Sequence, residues 1–144
     1  MYPNFVLLLL LNANNEVLLL RRINTPFCNN CYCLPGGIIQ PHESASKAII
    51  RESASSLGIS LNIDDRDCVH VMHRKCNEPE FFACVFKPRM WHGNPTIIES
   101  ERYDDLQWVA MNNLPALIVP AHKHAIEQIQ AQRAYSEHGW DQTL

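Results

Sequence analysis

The stretch Arg51-Glu-Ser-Ala-Ser-Ser-Leu-Gly-Ile59 has the form of half a metal-binding helix. Side chains at i, i+3 and i+4 of an α-helix share one face, so Glu52, Ser55 and Ser56 belong to one potential ligand set. Three carboxylates at that spacing would suit a hard divalent cation such as Mg2+, which prefers oxygen ligands. Only Glu52 is a carboxylate. A serine hydroxyl is neutral and a weak ligand, and each carboxylate lost removes a large part of the attraction that holds a dication. The geometry for metal chemistry is kept, with two of its three charges gone.

A second cluster competes for attention. Cys28, Cys31 and Cys33 form a C-x-x-C-x-C pattern that could offer three thiolates to zinc. A fourth ligand would have to come from afar, with His42, Cys68 and Cys76 as candidates, and the usual second C-x-x-C or H-x-x-x-H pair is missing. The favoured reading makes Cys31 and Cys33 small apolar residues on one face of a strand, with Tyr32 on the other. Six cysteines without a secretory signal read as reduced, cytoplasmic thiols. The apolar run Phe5–Leu11 is too short to span a bilayer, is preceded by no Lys or Arg, and is broken by Asn12, Asn14 and Asn15. A formal net charge of -3 gives no global basic field for nucleic acid polymers or acidic lipid.

The elements that would position these residues follow from pattern and breakers. Residues 4–22 read as a buried strand, an Asn-rich turn and a second strand. A Pro- and Asn-containing loop leads to a short strand at 31–34, stopped by a flexible turn at Pro35-Gly36-Gly37. A helix runs from an N-cap at Ser44 to Leu57 and ends at Gly58 as a left-handed cap. Strands at 67–73 and 80–86 form a hairpin, 88–102 is irregular, and 105–110 is another strand. A helix from Ala121 to about Tyr135 follows, then a loose tail after about 136. The expectation is one domain over 1–144, of class α/β, with a mixed sheet covered by a helix on each face.

The order Leu34-Pro-Gly-Gly37, then Glu43 after five residues, Arg51-Glu52 after seven more, and Leu57-Gly58-Ile59 resembles the Nudix box of the Nudix (MutT-like) hydrolases. Similarity extends over about residues 4–130, through "FFACVF", "WHGNPTIIESER" and "DLQWVAMNNLP". The resemblance implies an α/β/α sandwich. It also implies cleavage of the phosphoanhydride in a nucleoside diphosphate linked to another group, assisted by Mg2+ or Mn2+. In that pattern Gly36, Glu43, Arg51 and Gly58 shape the loop and helix, and the glycine pair lets the backbone pass close to the metal. Glu52, Glu99 and Gly37 would hold metal, with Glu52 and Glu99 catalytic. Ser55 and Ser56 stand where the family carries Glu. Arg21 or Arg22 would meet phosphate, only one of them facing the cleft, since strand side chains alternate. Phe27 could stack on a base, as could Tyr32 or Trp108, although packing in the core is the better reading of Trp108. Glu101, Asp104 and Asp105 read as a solvated loop, and His42 as an exposed loop residue.

Two functions stand close together: a hydrolase with weakened activity, and a nucleotide-binding pseudoenzyme that turns nothing over. A zinc-stabilised interaction module is more distant. The expected partner is a small nucleotide-type molecule, with no membrane; self-association into a homodimer is left open.

Overall fold

The computed structural model describes residues 3–77 and 79–141. Its core begins with the apolar runs. Val6–Leu10 and Val17–Leu20 are all buried, the signature of strands covered on both sides. β1 (Phe5–Leu8) and β2 (Glu16–Arg22) are joined by the expected Asn turn, in which the Asn12 side chain accepts from the N–H groups of Asn14 and Glu16. They do not form a simple hairpin. Only the bridge from Leu11 to Val17 links their ends, and the strands then enter different sheets.

β2 lies between β3 (Tyr32–Cys33) and β9 (Tyr103–Ala110) in a three-stranded antiparallel sheet. β1 enters a five-stranded mixed sheet that runs in the order β10 (Tyr135–His138), β6 (Cys68–Lys75), β7 (Glu80–Phe86), β1, β4 (Gly36–Ile38), in which β10/β6 and β7/β1 are parallel and the other pairs antiparallel. β6 (Cys68–Lys75) and β7 (Glu80–Phe86) make the expected hairpin. β4 is Gly36–Ile38, so the glycine pair sits inside a strand and not in a flexible turn. β5 (Ser60–Asn62) pairs with β8 (Met90–His92), a strand within the stretch read as irregular.

α1 (Ala45–Leu57) starts and stops as its sequence predicts. The Ser44 hydroxyl accepts from the Lys47 N–H at 3.2 Å, and Gly58 closes the helix at φ 70°. α1 packs on β1, β4 and β5, while α2 (Pro120–Gln130) packs on β6 and β10 (Tyr135–His138). The result is an α/β/α sandwich with a mixed central sheet and a helix on each face. No helix among the described residues is long and apolar enough to cross a membrane.

The C-terminal region departs most from expectation. α2 ends at Gln130, and the tail expected to be loose carries β10, which pairs with β6 from Tyr135↔Val71 to His138↔Arg74. A buried polar link fixes it. His70 donates from Nδ1 to the Arg133 carbonyl at 2.7 Å, so its Nε2 accepts from the Ser136 hydroxyl at 2.7 Å. The Trp140 indole N–H then donates to the His73 carbonyl at 3.0 Å. Residues 142–144 of that tail lie outside the described residues.

Candidate active site

The loop before α1 is tied to the helix by Arg51. Its Nε and Nη2 donate to the two Glu43 oxygens at 2.7 and 2.9 Å, Nη2 also to the Ile38 carbonyl at 3.0 Å, and Nη1 to Glu52 Oε1 at 2.8 Å. The Gln40 N–H adds a bond to Glu43 at 3.0 Å. The Arg51 guanidinium, followed by that N–H, holds the Glu43 carboxyl down at about 2. Both glycines are needed for close approach: a Cβ on Gly36 would overlap the Val6 carbonyl, and one on Gly37 the Glu52 carboxylate. Neither has positive φ.

The other half of the motif is wired differently. Ser55 is exposed, and its hydroxyl donates back to the Glu52 carbonyl at 3.3 Å. Ser56 is buried and donates to Glu99 Oε1 at 2.5 Å. Glu99 also accepts two 3.2 Å bonds from Arg102 Nη1. The Ser56 hydroxyl, aided by Arg102, lowers the Glu99 pKa. The helix therefore does not present Glu52, Ser55 and Ser56 as one open ligand face.

Among the described residues no group of three His, Cys, Asp or Glu side chains is placed to hold a metal ion. This leaves no zinc centre at Cys28, Cys31 and Cys33, and burial pushes the Cys33 thiol up to about 11, away from the thiolate that zinc needs. Of the two carboxylates expected to hold Mg2+ or Mn2+, Glu52 is engaged by Arg51 through Oε1, and Glu99 by both Ser56 and Arg102.

Beside this network lies a cleft of about 500 Å3, walled by apolar residues that include Phe5, Leu34, Phe81 and Val119, and running up to Gly36 and Gly37. Of the two arginines ending β2, Arg22 lines it; Arg21 turns away to an exposed ion pair with Asp104 at 2.7 Å. Phe27 also lines the cleft, 5.8 Å from the Arg22 guanidinium. Tyr32 is directed to Asp105 at 2.5 Å, and Trp108 packs beside Trp91 with ring centroids 6.3 Å apart. Glu101 and His42 are exposed. A smaller hollow of about 240 Å3 adjoins; Asn24 and Thr25 line it, and Arg22, Arg102 and Tyr103 are shared with the cleft.

Three polar cleft residues, Arg74, His122 and Arg102, were not placed in the site by sequence reasoning. Arg74 stacks 5.1 Å from the Phe81 ring centre, and its Nε is buried without a partner. Alternation along β6 could have found it, since Arg74 shares a face with buried Met72. His122 is buried at the start of α2 and accepts the Leu34 N–H on Nδ1 at 3.0 Å, so the ring carries its proton on Nε2. Burial, reinforced by Arg74 and Arg22, lowers its pKa to about 3 and keeps it neutral. Its place three and four residues before Ala125 and Ile126, on their apolar side, was the signal.

The NUDIX domain model matches residues 1–129. A Bacillus subtilis (strain 168) protein, provisionally named an 8-oxo-dGTP diphosphatase, is 26% identical over 131 residues, covering 90% of this chain and 81% of the relative. An ADP-ribose pyrophosphatase of Methanocaldococcus jannaschii is 34% identical over 50 residues, 35% of this chain and 29% of the relative. The crystal structure of a MutT NUDIX hydrolase from Burkholderia pseudomallei superposes with a TM-score of 0.78 at 26% identity, covering 88% of this chain and 97% of that one.

Proposed function

The chain belongs to the NUDIX family, and on that premise we propose that it acts slowly on a nucleoside diphosphate linked to a second group, with 1–144 as one domain. One observation carries the reading: the cleft runs from apolar walls and Arg22 directly to Gly37, whose Cα faces the Glu52 carboxylate. The base would enter between Phe27 and the apolar walls. Neutral His122 would donate its Nε2–H to an acceptor on the base edge, and Arg22 would take phosphate oxygens in a bidentate grip. Glu52, the one carboxylate left at the three helix positions 52, 55 and 56, orients the attacking water and accepts its proton as water adds to phosphorus and the anhydride P–O bond breaks. Glu99, held by Ser56 and Arg102, is a positioning residue in this scheme.

Family members generally use divalent metals, which supply several kcal/mol of charge stabilisation in the transition state. Here both carboxylates expected to hold such an ion are already paired with an arginine. At roughly tenfold per 1.4 kcal/mol, turnover should fall about a thousandfold or more below that of a relative with all three carboxylates.

The Arg102 clamp on Glu99 favours a second reading, nucleotide binding without turnover, because it occupies the one acid placed to compensate. A hydrolysis screen separates the two. Nucleoside diphosphate and triphosphate derivatives are offered with Mg2+ and with Mn2+ to wild type, Glu52→Gln and Ser55→Glu/Ser56→Glu. Wild-type activity that disappears in Glu52→Gln supports the hydrolase. A silent wild type beside an active double variant supports the binder.

A further inference from the structure

We propose that the phosphate chain of the ligand is held by guanidinium groups directly, at the boundary between the cleft and the adjoining hollow, with no divalent cation. The inference rests on the cleft being the nucleoside diphosphate site, and it states how that site binds an anion after losing its metal ligands.

Arg22, Arg74 and Arg102 all line the cleft, and among the described residues no Asp or Glu does. In a chain of net charge -3 that is a concentrated positive site. Among the described residues neither Arg22 nor Arg74 has a carboxylate within ion-pair distance: Arg22 donates to the Phe27 carbonyl and the Thr25 hydroxyl, and Arg74 stacks on Phe81 with its Nε unsatisfied. Cations beside apolar walls with donors unspent are costly until an anion meets them.

The two cavities supply the direction. Arg22 and Arg102 line both of them. A ligand with its base in the apolar cleft and its second group beside Asn24 and Thr25 must pass its phosphates between these two guanidiniums. Arg102 is already oriented, by Glu99 on Nη1 and by the Tyr103 hydroxyl 3.2 Å from Nη2, and its Nε–H is uncommitted. The planar forks of Arg22 and Arg102 match phosphate oxygens. Arg22 and Arg74 bring net charge, while Arg102, neutralised by Glu99, brings fixed donors. The carboxylates that would need a cation to tolerate a diphosphate nearby are each already paired with an arginine.

The test is calorimetric titration of the full chain with ADP-ribose, ADP and dGTP as probes, each in EDTA and again in Mg2+. At least one probe is expected to bind in EDTA, with a Kd that changes less than about threefold on adding Mg2+ and weakens as salt is raised. Arg22→Gln and Arg102→Gln should each weaken it about tenfold or more, and Arg102→Lys, which keeps charge but not the fork, should weaken it too. Thermal melts of each variant identify any loss that is merely unfolding. Binding more than about tenfold weaker in EDTA than in Mg2+ overturns guanidinium-only binding while the cleft assignment stands. Folded Arg22→Gln and Arg102→Gln variants that bind like wild type overturn it as well. No binding of any probe with or without Mg2+ overturns the cleft assignment, and this inference with it.

Discussion

The two halves of the loop–helix motif have had different fates. In the shaping half, Gly36, Gly37, Glu43 and Arg51 make every contact their positions allow: two glycines admit a carbonyl and a carboxylate, and one guanidinium bonds to Glu43, Glu52 and the Ile38 carbonyl. In the ligand half, Ser55 turns to its own helix, Ser56 turns inward, and Glu99 is tied to Ser56 and Arg102. The shaping half holds β4 against α1. The ligand half has value to the fold only through internal hydrogen bonds, and serine supplies those without burying a second carboxylate against Glu99.

The largest effect is expected from reversing the ligand half. Ser55→Glu/Ser56→Glu should raise hydrolysis in Mg2+ roughly a hundredfold or more, read as initial rates. The same variant buries a new carboxylate beside Glu99, and like charges at close range disfavour one another. Its melting temperature should therefore fall in EDTA and recover in Mg2+, a dependence not expected of wild type. If the rate rises while melting stays indifferent to Mg2+, the new glutamates act without holding the ion, and the contrast between the halves is wrong.

The glycines come next and divide the shaping half itself. An alanine at Gly36 meets the Val6 backbone carbonyl, so β4 would have to leave β1; a loss of about 3 kcal/mol is expected in denaturant unfolding. An alanine at Gly37 meets only the end of a side chain. Its stability cost should be smaller, with the effect appearing in activity as Glu52 is displaced. Equal losses for both would show that Glu52 is as fixed as backbone.

Acid unfolding probes two ends of the site, half-buried Glu43 and buried His122, in different windows. Glu43 has a folded pKa depressed to about 2 by Arg51, so its contribution is whole above the ordinary carboxylate range and fades as pH falls toward about 2. His122 is depressed from 6.5 to about 3, so what it contributes is whole above pH 6.5 and fades as pH falls through that interval. Melting temperatures of Glu43→Gln should flatten the low-pH limb alone, and those of His122→Asn the limb beginning near pH 6.5. A His122→Asn profile with an unchanged upper limb would mean that the buried neutral imidazole is not what titrates there.

Legibility in the sequence followed the same division. In the shaping half, the caps at Ser44 and Gly58 were readable from where residues fall along one helix, and the Glu43–Arg51 link from the resemblance to the Nudix box. The conformations of Ser55 and Ser56 were not readable, since a helical wheel gives a shared face but not which side chain is buried. Arg102 was passed over because its role depends on β9 beginning beside the cleft. β10 was hidden for another reason. Tyr135-Ser-Glu-His138 lacks an apolar period, and its pairing is fixed by a buried histidine contacting residues more than 60 positions away. The glycine pair misled in the opposite direction: a turn signal by composition, it serves a strand that must lie close to its neighbours.

The smallest effect is the sharpest control on the cleft. Arg21 and Arg22 are adjacent on β2, equal in charge, and point to opposite sides. Arg21 pairs with Asp104 where both side chains are more than a third exposed, a setting in which ion pairs add little. Arg21→Gln should melt with wild type and bind the probe that wild type binds (ADP-ribose, ADP or dGTP) with an unchanged Kd, while Arg22→Gln loses about tenfold. The substitutions remove the same charge from neighbouring positions, so a long-range field would be weakened alike by both. Only direct contact with the ligand separates them, and equal losses would reduce the cleft's arginines to a general attraction for anions.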